Sequence, residues 1–374
     1  MPIQVTPAET WTDRRQFMRL PDHLHAADPL YVPPLFMQRR ELLDRGRNPY
    51  FRHAEVALFV ARRNGRPVGR ISAQVDHHAV DIHGPIGHFG LLAAEDAEVV
   101  AALMAEAEKY LSAQGMAGVR GPFNLSINHE AGLLVGGRDT PPAMLTPFDQ
   151  PHLGPALESL GYRKARDLLA YVAPVTHEPP RLTRRLAAGL SDRVRLRPFH
   201  LGQLTREVAS ALEVFNDAWQ DNWGFVPLTR DEMRSLADSL GPLLDERLTC
   251  LAEVDGEPAG MLIGLPDLNE AIRGLDGRLA PFGWASLLWR LKVRGVKGAR
   301  VPLMGVRRTL DSAALKAALP FAMVESIRPH LVARGYRRVE MSWILEDNLP
   351  MRRLAEAFGG TVTKRWRIYE RALP

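Results

Sequence analysis

The sequence predicts an α+β protein built from two tandem domains, each with a central mixed β-sheet flanked by helices. Two observations lead to this prediction. The same order of elements (hairpin, strand, long helix, strand, short helix, strand) occurs once in each half of the chain. The length of 374 residues also corresponds to about two domains at roughly 100–200 residues each. A hydrophobic fraction of 46% supplies enough apolar side chains for two cores.

In the first half, alternation of apolar and polar residues predicts strands, and apolar residues at helical spacing predict helices. Turn residues at 63–66 and glycines at 115 and 161 separate these segments. The predicted elements are a hairpin of Glu55–Ala61 and Pro67–Val75, a strand Gly87–Leu92, a helix Ala97–Ala113, a strand Gly118–Ser126, a short helix Pro155–Leu160 and a strand Asp167–Ala173.

The second half repeats this order, with Asp255-Gly256 as its hairpin turn. A stretch rich in proline and arginine, 175–185, predicts a linker, so we expect domains at 1–178 and 186–374, with an apolar and basic insert near 268–300. The predicted elements are a strand Arg193–Arg197, helices Leu204–Trp219 and Arg230–Leu240, a hairpin of Leu248–Val254 and Pro258–Leu265, a strand Val301–Val306, a helix Ala313–Ala333, a strand Arg338–Ile344, a helix Pro350–Phe358 and a strand Val362–Glu370.

Composition excludes several classes of protein. Cys250 is the only cysteine, which excludes an internal disulfide framework and a cysteine-built zinc site. His77, His78 and His83 have no carboxylate at familiar ligand spacing, so we expect no metal. The start of the chain, 1–6, lacks the pattern of a signal peptide, and no apolar stretch of about 18 residues predicts a membrane span. We therefore expect a cytoplasmic protein.

The block 340–348, EMSWILEDN, precedes a helix at 350–358, the pair Gly359-Gly360 and a closing strand. With the order of elements, this block resembles the GNAT acyltransferase fold, present in tandem over most of the chain. In that fold, two strands part and open a slot for the pantetheine arm of coenzyme A. The resemblance implies such a slot near Asn348, although an Asn before a proline-started helix is also an ordinary helix cap.

Three further stretches resemble one bacterial family of double-GNAT proteins, which includes the bacterial ceramide synthases. They are 121–128 (GPFNLSIN), 221–227 (DNWGFVP) and 300–306 (RVPLMGV). The resemblance implies N-acylation of a lipid amine, such as a sphingoid base, with a long-chain acyl-CoA as co-substrate. The family alone does not identify the amine.

The loop that should bind the coenzyme A diphosphate departs from the GNAT pattern. In the second half, Asp311 stands where that pattern has a glycine, and a carboxylate there would repel a diphosphate. Asp311 or Ser312 could instead cap the next helix. The equivalent loop of the first half, 92–97, is acidic and lacks glycine, so we expect that domain to be degenerate. An acyl carrier protein is the alternative donor. The expected cofactor-binding residues are Val306, Arg307, Arg308, Ser312 and Asn348.

Amide formation from a thioester needs a base for the amine and a proton donor for the leaving thiolate. Glu340 and Glu346 are the candidate bases, and Tyr369 is the candidate acid. Glu340 would project on the same side of its strand as Ser342. The alternative for Glu340 is a salt bridge to one of the many arginines.

Two polar stretches are candidate substrate-binding sites. One follows a helix where GNAT folds place the acceptor-binding loop, and it could seat an amino-alcohol head or form a capped turn with its rings in the core. In the other, Asn124, Ser126 and Asn128 would share one strand face if the strand continued that far, and a turn would be needed to bring His129 and Glu130 together. Their residues are Asn222, Trp223 and Phe225 in the first stretch, and Asn124, Ser126, Asn128, His129 and Glu130 in the second.

The segment 282–294 mixes Trp, Leu and basic residues. This composition predicts an interfacial helix on an anionic membrane, and it also fits a lid over a lipid chain or a buried helix with snorkelling basic residues. The net charge of +5 fits an anionic partner or reflects an arginine-rich background composition.

The sequence therefore favours an N-acyltransferase, peripheral to the inner face of the membrane, that acts on a lipid amine. One alternative is an aminoacyl-tRNA-dependent transferase. We expect no nucleic-acid partner, because neither a coiled-coil arm nor an aromatic–basic RNA-binding motif is present. The other alternative, favoured by the degraded loops, is a non-catalytic protein that binds lipids or nucleotides. The sequence leaves the oligomeric state open.

Overall fold

A computed structural model describes residues 2–181, 185, 190 and 192–374, which form two compact units. Unit 1 comprises Met1–Leu168 together with Arg273–Arg278 and Lys364–Pro374. Unit 2 comprises Leu169–Ile272 and Leu279–Thr363. The predicted linker 175–185 lies partly outside the described residues, as does the predicted domain start at 186.

The first half of the chain contains the predicted elements and begins with further elements that the sequence analysis did not predict. The first helix starts with a capping box, in which Thr10 and Asp13 exchange hydrogen bonds. The elements are β1 (Ile3–Pro7), α1 (Trp11–Leu24), α2 (Phe36–Leu42), β2 (Ala54–Arg63), β3 (Arg66–Asp76), α3 (His77–His83), β4 (Ile86–Ala94), α4 (Ala97–Ala113), β5 (Gly118–Gly121), β6 (Phe123–Asn124), β7 (Glu130–Ala131), β8 (Leu133–Gly136), α5 (Leu153–Ser159) and β9 (Arg163–Pro174).

The second half of the chain repeats the plan, and its helix boundaries agree with the predicted ones to within a residue or two. The elements are β10 (Val194–Arg197), α6 (Leu204–Ala218), α7 (Arg230–Leu240), β11 (Thr249–Val254), β12 (Glu257–Pro266), α8 (Leu268–Ile272), α9 (Gly283–Leu288), β13 (Gly298–Val306), α10 (Ala313–Ala333), β14 (Arg338–Leu345), α11 (Leu349–Ala357) and β15 (Thr361–Ala372). Among the described residues, no helix is both long and apolar enough to cross a bilayer.

Each unit has a mixed sheet with one parallel pair of strands. In unit 1 the order is β1-β2-β3-β4-β5-β15, with β4 and β5 parallel. In unit 2 the order is β9-β14-β13-β12-β11-β10, with β13 and β14 parallel. The apolar faces of α4 and α10 pack on the two sheets. The predicted fold class is thus confirmed.

The closing strand β15 belongs largely to unit 1, far in sequence from its partners there. Its residue Tyr369 pairs with Gly121 of β5. The buried Lys364 donates to backbone oxygens of Gly137 and Thr140 at 2.5 and 2.7 Å. Arg367 forms two hydrogen bonds with the buried Asp167, at 2.9 and 3.2 Å. These buried polar contacts fix the register of β15 in unit 1.

The parallel strands part in both units. In unit 2, only Gly298–Val301 of β13 pair with β14, although β13 continues to Val306. In unit 1 they pair only over Ile86–His88 of β4, which runs on to Ala94. Each longer strand carries an extra residue against its hairpin neighbour just beyond the paired stretch. The bulge bends the strand away and opens a gap in the sheet.

Candidate active site

A chain of buried polar side chains lies where β13 and β14 part. The Ser342 hydroxyl donates to Glu340 Oε1 at 2.7 Å and accepts from Arg300 Nε at 3.0 Å. Arg300 Nη2 also donates to the Ser342 backbone oxygen at 3.1 Å. All three residues are at most 8% exposed. The prediction that Glu340 and Ser342 share one strand face is confirmed, and the arginine partner reaches Glu340 through Ser342.

Arg300 is the member of this network whose role the sequence analysis missed. It is 1% exposed, and its guanidinium lies over the Trp343 ring, 5.0 Å from the centroid. A buried charge persists only when hydrogen bonds and an opposite charge compensate its desolvation. A single arginine within an otherwise apolar strand was the available signal. The network can hold a carboxylate in a fixed position in the gap.

The other candidates after β14 serve helix α11. The Asn348 side chain accepts from the Met351 amide at 3.2 Å, so it caps the helix. This is the contact that the helix-cap interpretation predicted. Glu346 accepts at its backbone oxygen from Arg352 Nη1 at 2.7 Å. Arg352 also donates to the Tyr171 hydroxyl at 3.0 Å. These contacts explain the end of β14 and leave any role in chemistry a prediction.

The loop between β13 and α10 binds carboxylates of its own chain. Arg307 pairs with Glu213 at 2.6 Å, and Arg308 pairs with Asp221 at 2.7 Å. The carboxylate of Asp217 accepts from two consecutive backbone amides, those of residues 308 and 309. Consecutive amides of this kind form a concavity that binds anions. The loop can therefore hold an anion, and in this structure Asp217 is that anion.

Two further expectations concern the same loop. Ser312 accepts from the Leu315 amide at 3.2 Å and caps α10, so the capping alternative is confirmed for Ser312. Val306 is the last residue of β13 and packs partly buried against the core under α10. In the first unit, Asp96 of the acidic loop caps α4 and pairs with Arg63 at 2.9 Å. Nucleotide binding at either loop is not tested by these contacts.

The stretch after α6 forms a tight turn. The Phe225 amide donates to the Asn222 backbone oxygen at 3.1 Å, around Gly224 with φ 70°. The Phe225 ring packs 5.9 Å from Phe215 in the core of unit 2, as the capped-turn interpretation predicts. Trp223 is half-buried. A substrate role for Asn222, Trp223 and Phe225 remains a prediction.

Tyr369 lies in unit 1 rather than in the unit that contains Glu340. Its ring is 1% exposed in the core, and its hydroxyl donates to Glu158 Oε1 at 3.0 Å. Burial raises the pKa of this phenol, and the hydrogen bond to Glu158 adds to the effect. The sequence could not reveal this location, because it follows from the pairing of β15 with β5.

In unit 1, Asn124 occupies the gap between the parted strands. Its side chain accepts from the Leu91 amide at 2.8 Å and donates to Glu130 Oε2 at 2.8 Å. Leu91 lies at the bulge of β4 with φ 48°. A Cβ at Gly90 would lie 1.6 Å from the Phe123 oxygen, so a glycine is required where the two segments cross. The Asn124 side chain thus gives the Leu91 amide the hydrogen-bond partner that it lacks where β4 and β5 separate.

The rest of this polar string forms a turn, so the expected single strand face for Ser126 and Asn128 is wrong. The strand ends at Asn124, because Leu125 has φ 87° and reverses the chain. The turn brings Ser126 Oγ to 3.0 Å from His129 Nδ1, and the Asn128 amide donates to Ser126 Oγ at 3.1 Å. His129 therefore pairs with a serine, while Glu130 pairs with Asn124.

Asp149 is a titratable group that the sequence analysis missed. Its carboxylate accepts from the Leu134 amide at 2.9 Å. Burial raises the pKa of Asp149 to about 6, and the charge of Glu130 acts in the same direction. A carboxyl group that titrates near neutrality can exchange protons with a substrate. No pattern in the sequence marks it, because its partners come from a different loop.

One group of potential metal ligands occurs among the described residues. Ligand atoms of His53, Asp76 and His78 lie within 4.8 Å of one another. Asp76 Oδ1 lies 3.1 Å from His53 Nδ1 and also accepts from two backbone amides at the start of α3. The histidine rings are stacked at 4.1 Å. The sequence analysis considered His77, His78 and His83, and the structure instead groups His78 with His53 and Asp76.

A small apolar cavity of about 40 Å³ adjoins the parted strands of unit 2 on the α10 side. Its walls would accept an apolar group rather than a polar one. The lining includes Val301, Met304, Ile327, Met341 and Phe358.

The chain is similar over its whole length to two curated proteins. It is 48% identical over 375 residues to the bacterial ceramide synthase of Caulobacter vibrioides, covering 99% of this chain and 98% of that protein. It is 40% identical over 366 residues to protein YghO of Escherichia coli, covering 96% and 93%. No family model matches the chain.

Solved structures agree on the fold. A tandem GNAT protein from the clavulanic acid biosynthesis pathway superposes with a TM-score of 0.60 at 16% identity, covering 100% of this chain and 99% of that one. A GCN5-related N-acetyltransferase from Sphaerobacter thermophilus gives a TM-score of 0.55 at 15% identity, covering 99% and 96%. With the identity to the Caulobacter enzyme, these likenesses show that the chain is an acyltransferase and belongs to the tandem GNAT family of the bacterial ceramide synthases.

Proposed function

We propose that this enzyme transfers a long-chain acyl group from acyl-CoA to the primary amine of a sphingoid base, at the parted strands of unit 2. The observation that carries the proposal is the buried Glu340–Ser342–Arg300 network beside those strands. The relative in Caulobacter vibrioides is a ceramide synthase, which supports a lipid amine as the acceptor.

The proposed reaction is direct attack of the amine on the thioester carbonyl. Glu340 accepts the proton that the ammonium group must lose before its nitrogen can attack. Attack forms the C–N bond and a tetrahedral intermediate, whose nitrogen loses its second proton to solvent. The C–S bond then breaks and the leaving thiolate takes up one proton from solvent, which gives a neutral amide and a free thiol. Arg300 and Ser342 are positioning residues, because they hold the carboxylate rather than touch the reacting atoms.

The contacts of the loop at 307–312 favour an alternative acyl donor, an acyl carrier protein. Its arginines are paired with Glu213 and Asp221, and its amides bind Asp217, so a diphosphate would have to displace these carboxylates. An acyl carrier protein presents a single phosphodiester on its pantetheine arm. It carries less negative charge than a diphosphate and would have to displace fewer of these carboxylates. Tyr369 has no part in the proposal, because its hydroxyl is bound to Glu158 in the core of unit 1.

The test uses purified protein with palmitoyl-CoA and a panel of amines that includes sphinganine and 3-ketosphinganine. We expect amine-dependent release of free thiol and the matching amide by mass spectrometry. Glu340→Gln should lower kcat by at least about a hundredfold, whereas the exposed Glu257→Gln should not. Turnover only with a palmitoyl carrier protein would show that the acyl donor is the carrier protein and not acyl-CoA. Turnover only with charged tRNA, or none with any donor, would contradict the proposal.

A further inference from the structure

The segment that starts at Phe282 and continues through α9 into a π-helical turn, Trp289–Arg294, exposes large apolar side chains that the proposed reaction does not use. Single exposed apolar residues are common on soluble proteins, but a contiguous apolar patch marks an interaction surface. We call this patch the docking face. Its members and their exposed fractions are Phe282 (79%), Trp284 (57%), Leu288 (50%), Trp289 (53%) and Val293 (72%).

The docking face points to solvent because the opposite side of the same segment is hydrogen-bonded to α8. Trp284 and Leu288 are four residues apart, as are Trp289 and Val293, and such pairs lie on one side of a helix. On the other side, the half-buried Arg290 donates to a backbone oxygen of α8 at 2.8 Å. The apolar side chains are therefore presented to solvent by a helix that is anchored to unit 2.

The charged side chains of the segment itself have one sign. No acidic residue occurs between positions 277 and 300. Lys292 and Arg294 are exposed within the segment, and Lys297 follows it. Tryptophan rings favour the interface between lipid headgroups and acyl chains, and lysine and arginine beside them favour anionic lipids. Both features complement the same partner.

We propose that the docking face inserts into the headgroup region of an anionic bilayer. Charge complementarity selects the bilayer over a second copy of this chain, because two such faces would bring like charges together. The proposal goes beyond the reaction and does not depend on it, since a catalytically inactive protein would bind vesicles equally well. Binding here would bring the enzyme to the surface in which long-chain amines reside.

The test is co-sedimentation of the full chain with phosphatidylcholine vesicles, with and without phosphatidylglycerol. We expect binding only to the vesicles that contain phosphatidylglycerol, with a blue shift of the tryptophan emission. The double variant Trp284→Ser/Trp289→Ser should weaken the partition coefficient by about tenfold or more. Lys292→Gln/Arg294→Gln should weaken it by about fivefold for each basic residue, with a matching loss of salt dependence.

Matched controls come from the same chain. Trp11 is 56% exposed on α1 of unit 1, so Trp11→Ser removes an equally exposed ring away from the docking face. Lys316→Gln removes an exposed lysine on α10. Both controls should bind like the wild type, and circular dichroism checks the fold of every variant. Equal binding of neutral and anionic vesicles, unchanged binding of the double tryptophan variant, or a wild-type dimer that this variant dissociates would each overturn the proposal.

Discussion

Removal of the Ser342 hydroxyl should destabilise unit 2 and misplace Glu340. In Ser342→Ala, Glu340 loses a donor at 2.7 Å and Arg300 loses an acceptor at 3.0 Å, both in a buried site. Hydrogen bonds to charged groups contribute about 1.5–3 kcal/mol each. Because Arg300 keeps its bond to the backbone oxygen of residue 342, we expect a net loss of about 2–4 kcal/mol.

Differential scanning calorimetry measures this loss. A destabilisation of this size lowers the Tm of a unit of this length by about 4–16 °C. The same variant should reduce kcat for amide formation by about tenfold or more while KM for the donor changes less, because the hydroxyl positions the proposed base rather than the donor.

Ser72→Ala is the matched control for this variant. Ser72 is also a fully buried serine on a central strand, but its hydroxyl has no hydrogen-bond partner among the described residues. Its removal should leave stability within about 0.5 kcal/mol of the wild type. Equal effects of the two alanine variants would refute the reasoning, since they would show that burial and not the network decides the outcome.

Two further predictions concern charge. Asp217→Asn keeps an acceptor for the amides of residues 308 and 309 but removes a negative charge from the loop. It should tighten binding of palmitoyl-CoA by about fivefold and leave palmitoyl-pantetheine unaffected; isothermal titration calorimetry with both ligands checks this, and identical changes would exclude the loop as a diphosphate site. Burial lowers the pKa of His88 from 6.5 to about 4. The unfolded chain therefore takes up this proton first as the pH falls, so His88 by itself should cost unit 1 about 2 kcal/mol of stability between about pH 7 and pH 5. Urea unfolding at both pH values should show a smaller loss for His88→Phe, while the exposed His23→Gln should keep the wild-type dependence; an equal loss in all three proteins would contradict the assignment.

The sequence predicted the repeated elements well, because their signals are local. The helices α4 and α10 begin at caps, Asp96 and Ser312, whose side chains bind the first turn. The hairpin turns contain Asn64 and Asp255 with positive φ, as their residue types indicate. The elements before Glu55 were missed, since α1 contains an internal proline and many charged residues that obscure its periodicity.

The candidate site was only partly predictable. Glu340 and Ser342 are two residues apart on one strand, so their common face follows from the period of a strand. Arg300 joins them from another strand through the register of β13 against β14. Such a register depends on long-range pairing, which residue spacing within one segment does not encode.

By itself, the sequence determined the α+β class and the tandem repeat, because these depend on local periodicity, caps and turn residues. The family resemblance rests on short stretches of sequence such as 121–128 and 221–227. The tertiary structure alone decided that β15 joins unit 1, that Tyr369 lies in the core of unit 1 whereas Glu340 belongs to unit 2, and that Asp217 occupies the anion-binding amides of the loop. Strand pairing and carboxylate pairing both join residues far apart in sequence. Which strands and which carboxylates pair is determined by the free energy of the whole folded protein, to which every buried hydrogen bond contributes.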